Sequence, residues 1–292
     1  MSLNKKSLFV KGIFFLATGM LLVACGSETS KEETKTAGTV EDTTSTVEEQ
    51  DLTYTLPSAL QIASIFKKSG MKYKDGVISS MKDPGKYTTA LSRTLNLGVY
   101  SADLAYALLN KQNQVAMEYM KLSQQIANNL GMGSVYDEGN LSKRFEKNIG
   151  SIDSLTFIIS EIQMVTDMYL HENKQEHFTP MIFAGAWIES LYIASKVFEN
   201  GKDEKLNKKF SEQMNILGSI INALKAERKK EPAIAGLIED LNKIKDVYDT
   251  LPSVQNNAGA PEDIRKRTLL SNDEVAKLTK KIGELRTKFI NG

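Results

Sequence analysis

Apolar positions recur at intervals of three and four residues along most of the chain beyond residue 52, the spacing of helices that bury one face. Ala59, Ile62, Ala63, Ile65 and Phe66 follow Pro57, which stands where a first-turn proline belongs, and Gly70 closes this short first helix. Asp83-Pro84-Gly85 then opens a longer helix to about residue 110, striped by Leu91, Leu95, Gly98, Ala102, Ala105 and Leu109. The stretch 114–130 carries Ala116, Met117, Met120, Ile126 and Ala127 and stops at Gly131. The short connection between these two helices predicts an antiparallel hairpin. Further helices are expected over 140–149, over 152–172 with Leu155, Ile158, Ile159, Ile162 and Val165 inside, and over 180–198, ended by Asn200-Gly201.

A single helix is expected over 203–230, with Phe210, Met214, Leu217, Ile220, Ile221 and Leu224 at core spacing, and another over 234–248 after Pro232. An irregular stretch from 252 to about 270 leads to Ser271 and Glu274, a capping box for a last helix over 275–290. No run alternates with period two over the length of a strand. The pattern therefore predicts an all-α fold: one domain, 52–292, built as an irregular bundle of about eight to nine helices from antiparallel helical hairpins. Leu97-Gly98 with Ala116, Tyr119 and Ala127 loosely resembles a tetratricopeptide unit, but no second copy follows one repeat later, as a tandem array requires. A fainter echo links Gly98-Val99-Tyr100, Leu104 and Ala107 with Gly185-Ala186-Trp187, Leu191 and Ala194, at the same offsets.

The first residues follow another pattern. Lys5, Lys6 and Lys11 precede an apolar core over 13–23 that closes on Leu22-Val23-Ala24-Cys25, the layout of an export signal. The apolar core is about half the roughly 20 residues that a spanning helix needs. Its end resembles the lipobox of bacterial lipoproteins. The resemblance implies a signal peptide over 1–24, cleavage before Cys25, a diacylglyceryl group on Cys25 and acylation of the new amino terminus, so that the membrane is the first expected partner. Several acyl chains anchor a protein firmly where one does so marginally. Cys25 is the only cysteine, so its acylation leaves no thiol for nucleophilic attack, disulfides or metal binding. Gly26 stands where an aspartate retains many lipoproteins at the inner membrane, which implies outer-membrane placement if the cell is diderm. Residues 26–51 are rich in Glu, Thr and Ser and hold no Leu, Ile or aromatic residue. Such a stretch predicts a disordered tether, holding the domain roughly 25 to 30 Å from the bilayer by coil scaling.

Charge excludes one class of partner. The chain has 37 Lys and Arg against 36 Asp and Glu, and loss of Lys5, Lys6 and Lys11 with the signal leaves 34 against 36. That balance gives no electrostatic reason to expect nucleic acid. The basic clusters at 225–230, 265–267 and 277–281 read as solvated helix faces or as surfaces drawn to anionic lipid or polysaccharide.

The candidate chemistry lies in two helices. The 181–198 helix is apolar almost all round, the mark of a helix enclosed by others. Glu189 sits in it among Gly185, Ala186, Tyr192 and Ile193, so its carboxylate is either a perturbed acid or ligand-holding group or the partner of a lysine, arginine or tyrosine. Asn96, Asp103 and Asn110 recur every seven residues with Tyr100 and Tyr106 alongside, and form either a polar seam facing a cavity or a solvated face. Together Glu189, Trp187, Tyr192, Asp103 and Tyr100 make a candidate ligand pocket. Facing each other, Asp103 and Glu189 would form a carboxylate pair of the glycosidase kind, although no spacing brings them together.

Metal and cofactor motifs are mostly absent. His171 and His177 beside Glu172 and Glu176 make a casual metal cluster at best, without a Glu-x-x-His or His-Glu-x-x-His spacing. In Gly185-Ala186-Trp187-Ile188-Glu189 the histidine of the imelysin motif is replaced by Trp187 and its glutamate by Ser190. No catalytic residue, metal or cofactor is therefore assigned. From Leu97-Gly98-Val99-Tyr100 to Trp187-Ile188-Glu189 the chain resembles all-helical lipoproteins of bacterial envelopes. The resemblance implies a lipid-anchored binding or scaffold domain for an envelope protein or small-molecule ligand. The alternative is an envelope hydrolase or metal-dependent enzyme whose site is built from Glu189, Asp103 and Tyr100.

Overall fold

The computed structural model describes residues 56–80, 83–198 and 204–292. The export signal, Cys25 and the tether over 26–51 lie outside the described residues. Among the described residues 74% are helical and none is in a strand, so the fold is all-α. No described helix is long and apolar enough to cross a membrane.

Ser58 and Gln61 exchange side-chain and backbone hydrogen bonds of 2.7 and 3.1 Å, a reciprocal cap that fixes the start of α1 (Ala59–Lys68). Asp83-Pro84-Gly85 does not begin the long helix. It forms a separate 3₁₀ turn, Pro84–Lys86, in which Asp83 accepts from the Gly85 amide. Tyr87 is then extended and sinks its ring edge-on against Tyr100. Only after it do Thr89 and Ser92 cap α2 (Ala90–Leu109). Asn110, Lys111 and Gln112 turn the chain into α3 (Asn113–Asn129), which packs along α2 as the predicted hairpin. One short helical turn, α4 (Ser134–Asp137), precedes α5 (Leu141–Lys147) and the long α6 (Ile152–Glu172).

The centre of the molecule is α7 (Phe178–Val197), packed against α1, α2 and α6 on the N-terminal side of the chain and against helices from its C-terminal third. The predicted helix over 203–230 is two helices, α8 (Glu204–Met214) and α9 (Leu217–Glu227). At the break the amides of Asn215 and Ile216 reach back only three residues, and the Asn215 side chain donates to the Lys266 carbonyl. The apolar positions keep helical spacing across it, and Phe210, Met214, Leu217, Ile220, Ile221 and Leu224 are all buried. Beyond α10 (Ile234–Asp249) the irregular stretch holds two single turns, α11 (Pro252–Gln255) and α12 (Glu262–Arg265). The predicted box at Ser271 and Glu274 caps α13 (Asn272–Asn291).

The two echoing segments meet face to face. A Cβ on Gly98 would overlap the Ile182 carbonyl oxygen and stand 2.7 Å from the Ala186 nitrogen; a Cβ on Gly185 would overlap the Leu95 carbonyl. Each glycine thus faces the carbonyl three residues before the other, and the two backbones touch directly. Thr94 meets Met181, Gly98 meets Ile182 and Ala186, and Asp103 meets Glu189. Both sets of numbers rise together, so α2 and α7 run parallel. The glycine of the shared pattern is therefore a packing device repeated on both partners of one crossing.

Candidate functional site

Two features compete for attention: a sealed charge cluster between α2, α7 and α13, and an open cavity on the other side of the α2–α7 crossing.

The cluster grows from the polar seam of α2. Asn96, Asp103 and Asn110 are buried, so the solvated-face reading fails, and each addresses a different element. Asn96 donates 2.8 Å to the Phe289 carbonyl in the last turn of α13. Asn110 accepts 2.7 Å from Lys67 Nζ of α1. Asp103 faces α7: it accepts from Ser79 through one oxygen, and its other oxygen meets no donor. Glu189 stands beside it, wholly buried, and takes a two-pronged ion pair from Arg286 of α13, with Nε to Oε2 at 2.6 Å and Nη2 to Oε1 at 2.8 Å. The guanidinium lies 3.9 Å over the Tyr192 ring. Tyr100 packs edge-on between Tyr87 and Tyr119, and Tyr119 donates to the Ser79 carbonyl.

The electrostatics follow from counting charges. Two ionised carboxylates against one guanidinium would leave a net negative charge sealed in apolar packing, and like charges about 4 Å apart repel by about 4 kcal/mol at a dielectric of about 20. Burial first, and the charge of Glu189 second, raise the Asp103 pKa well above the usual carboxylate range, against smaller opposing help from Ser79 and Arg286. Hydrogen bonding between the two carboxyls pushes the same way. Asp103 therefore keeps its proton to higher pH than a free carboxyl does, and that proton can be donated towards Glu189. Burial opposes the charge on Arg286, but its hydrogen bonds with Glu189 and the charge of Glu189 outweigh this and raise its pKa. Tyr87 and Tyr119 are likewise raised, chiefly by burial.

The structure thus brings Asp103 and Glu189 together, with Tyr100 near them, and places Tyr192 under Arg286. Trp187 is buried on α7 with its indole N–H unpartnered. Sequence reasoning missed Arg286, Ser79 and Tyr87. The signal for Arg286 is its place four residues after Ile282 and three before Phe289, a lone cation on the apolar face of α13. No group of three or more His, Cys, Asp or Glu among the described residues could hold a metal, and His171 instead pairs with Glu176 at 3.2 Å.

The cavity, of about 420 Å³, lies between the start of α1 and helices α2, α3, α6 and α7. None of Glu189, Trp187, Tyr192, Asp103 or Tyr100 lines it. Its walls are buried apolar side chains, among them Leu60, Leu97, Leu104, Met120, Ile162 and Phe183, and its mouth is marked by the exposed residues Gln163, Asp167 and Thr179. Ser123 lines it from α3, with a buried hydroxyl that has no hydrogen-bond partner. The volume falls within the roughly 300–1,000 Å³ of small-molecule sites, and the apolar lining with a few polar groups is their usual chemistry.

Comparison with protein-family models, with curated proteins and with solved structures found no match.

Proposed function

We propose that this chain is a lipid-anchored, non-catalytic binding protein of the bacterial cell envelope, whose helical domain holds an apolar small molecule in the α2–α3–α6–α7 cavity. The cavity carries the reading: an apolar space of about 420 Å³ with an exposed polar mouth and an unpaired hydroxyl in its wall. The order of charged, apolar and small residues before Cys25 supports the address. The test has two parts. Mass spectrometry of the chain from its own membrane should find acyl groups on Cys25, lost with Cys25→Ala. The neutral dye Nile red should bind saturably at one site, and Ser123→Leu, which fills part of the cavity, should weaken it at least tenfold. Non-saturable dye uptake unchanged in Ser123→Leu would remove the binding reading.

A hydrolase built on Asp103 and Glu189 gains from their contact. Against it, Arg286 occupies both oxygens of a Glu189 that no solvent reaches, so neither a substrate nor an attacking water has a path to that carboxylate.

A further inference from the structure

The cavity carries a charge selection that its apolar walls do not reveal. Among the described residues that line it there is no Lys, Arg or His, and the one carboxylic acid is Asp167. Asp167 stands at the mouth on α6 and has no ion pair or hydrogen bond among the described residues. The two neighbouring positions on its exposed side, Met164 and Met168, are apolar and more than half exposed, at 56% and 51%. Elsewhere carboxylates of this chain find cations: Glu161, also on α6, takes a two-pronged pair from Arg144 of α5, and Asp240 is met by both Lys243 and Lys288. A carboxylate with no cation, beside two exposed methionines in the polar mouth of an apolar cavity, attracts an organic cation and repels an organic anion.

We infer that the cavity takes a cationic amphiphile: an apolar body seated among Leu60, Leu104, Met120 and Phe183, with an ammonium head held at the mouth by Asp167. The inner hydroxyl of Ser123 faces the cavity without a partner and accommodates a single polar group in the body of the ligand. Fatty acids are disfavoured, because their carboxylate would lie against Asp167 with no cation to receive it. This inference rests on the binding reading above and adds the charge of the ligand to it.

Three probes of one chain length separate the two. Dodecylamine, dodecanol and dodecanoate, each below its micelle concentration, are titrated calorimetrically at pH 7 into the mature chain from residue 25 carrying Cys25→Ser, so that no apolar signal, acyl anchor or detergent competes. Dodecylamine should bind at least tenfold more tightly than dodecanoate, with dodecanol between them. Asp167→Asn should compress the three affinities to within about threefold of one another, and Ser123→Leu should weaken all three. Equal affinity of the amine and the acid in the parent chain, or a preference that survives Asp167→Asn, would overturn the charge inference while leaving an apolar site in place. Amine binding undiminished in Ser123→Leu would place it outside the cavity and overturn the inference as well. If none of the three binds, the binding reading falls and this inference with it.

Discussion

At the residue scale the question is what Glu189 is for, and the ion pair with Arg286 answers it energetically. Removing one partner of a buried pair strands the other charge and costs about 3–5 kcal/mol, whereas replacing both with apolar groups of similar size is often neutral. Arg286→Met should therefore lower the unfolding free energy by about 3–5 kcal/mol in urea titrations. Adding Glu189→Leu to it should recover most of that loss; a double variant as weak as the single one would point to a role for Glu189 beyond the pair. Asp103 makes a prediction in pH. Its folded pKa is raised, so between the unfolded value near 3.9 and the folded one the native state holds a proton that the unfolded chain has lost. The stability it contributes is complete below about pH 4 and is lost as pH rises through the folded value. Asp103→Asn keeps an acceptor for Ser79 and should flatten that decline, read from unfolding free energies measured at intervals from acid to alkaline pH. The sequence placed Glu189 in an enclosed helix but left Asp103 between an inward seam and a solvated face, and could not join them. Their contact depends on the parallel register of α2 and α7, set by two glycines that no local spacing relates. Arg286 was legible only as an exception on an apolar face.

At the scale of elements the α2–α7 crossing decides the fold, and its glycines are its most sensitive positions. A methyl group on Gly98 meets backbone rather than a flexible side chain, so the helices must separate, and overpacking of this kind costs about 1–3 kcal/mol or more. Gly98→Ala should lower the melting temperature and, by spreading the crossing, loosen the cluster behind it. Gly236→Ala in α10 is the matching control: nothing lies within 4 Å of its Cβ position, and alanine is a better helix former by up to about 1 kcal/mol. It should stabilise or leave the protein unchanged. A common sign for the two substitutions would mean that helix propensity, and not the close approach, governs Gly98. Most helices were legible from three-four spacing, the Ser271 box and the closing glycines Gly70 and Gly131, which act locally; the Ser58 cap was missed, and Pro57, read as a first-turn proline, lies just before it. The start of α2 and the break between α8 and α9 were not. The first depends on Tyr87 reaching the core, and the second on Asn215 reaching Lys266; both are tertiary events that leave the apolar period intact.

At the scale of the whole molecule, α13 is the element that closes the bundle. Its last-turn carbonyls, which a helix end leaves without intrahelical donors, are taken up near the start of α2: Asn96 donates to Phe289, while Tyr87, at 3.4 Å, and Lys86 donate to Ile290 across 203 and 204 residues of chain. Its first turn is held by Asn207 on α8 and by Ser253 on α11, and Lys288 reaches Asp240 on α10. Between these anchors Leu278, Ile282, Leu285 and Phe289 are buried beside Arg286. Four such side chains contribute about 6–12 kcal/mol of apolar burial, comparable with the whole stability of a domain at about 5–15 kcal/mol. A chain ended after Leu270 should therefore lose its cooperative transition instead of melting a few degrees earlier. Trp187, the single tryptophan and fully buried, reports the outcome: its emission should shift to the red and its near-ultraviolet dichroism should vanish. If truncation acted only by stranding Glu189, then Glu189→Leu in the shortened chain would restore a cooperative melt with blue Trp187 emission. The burial arithmetic predicts that it does not, because the apolar groove between α2, α7 and α10 stays open whatever occupies position 189.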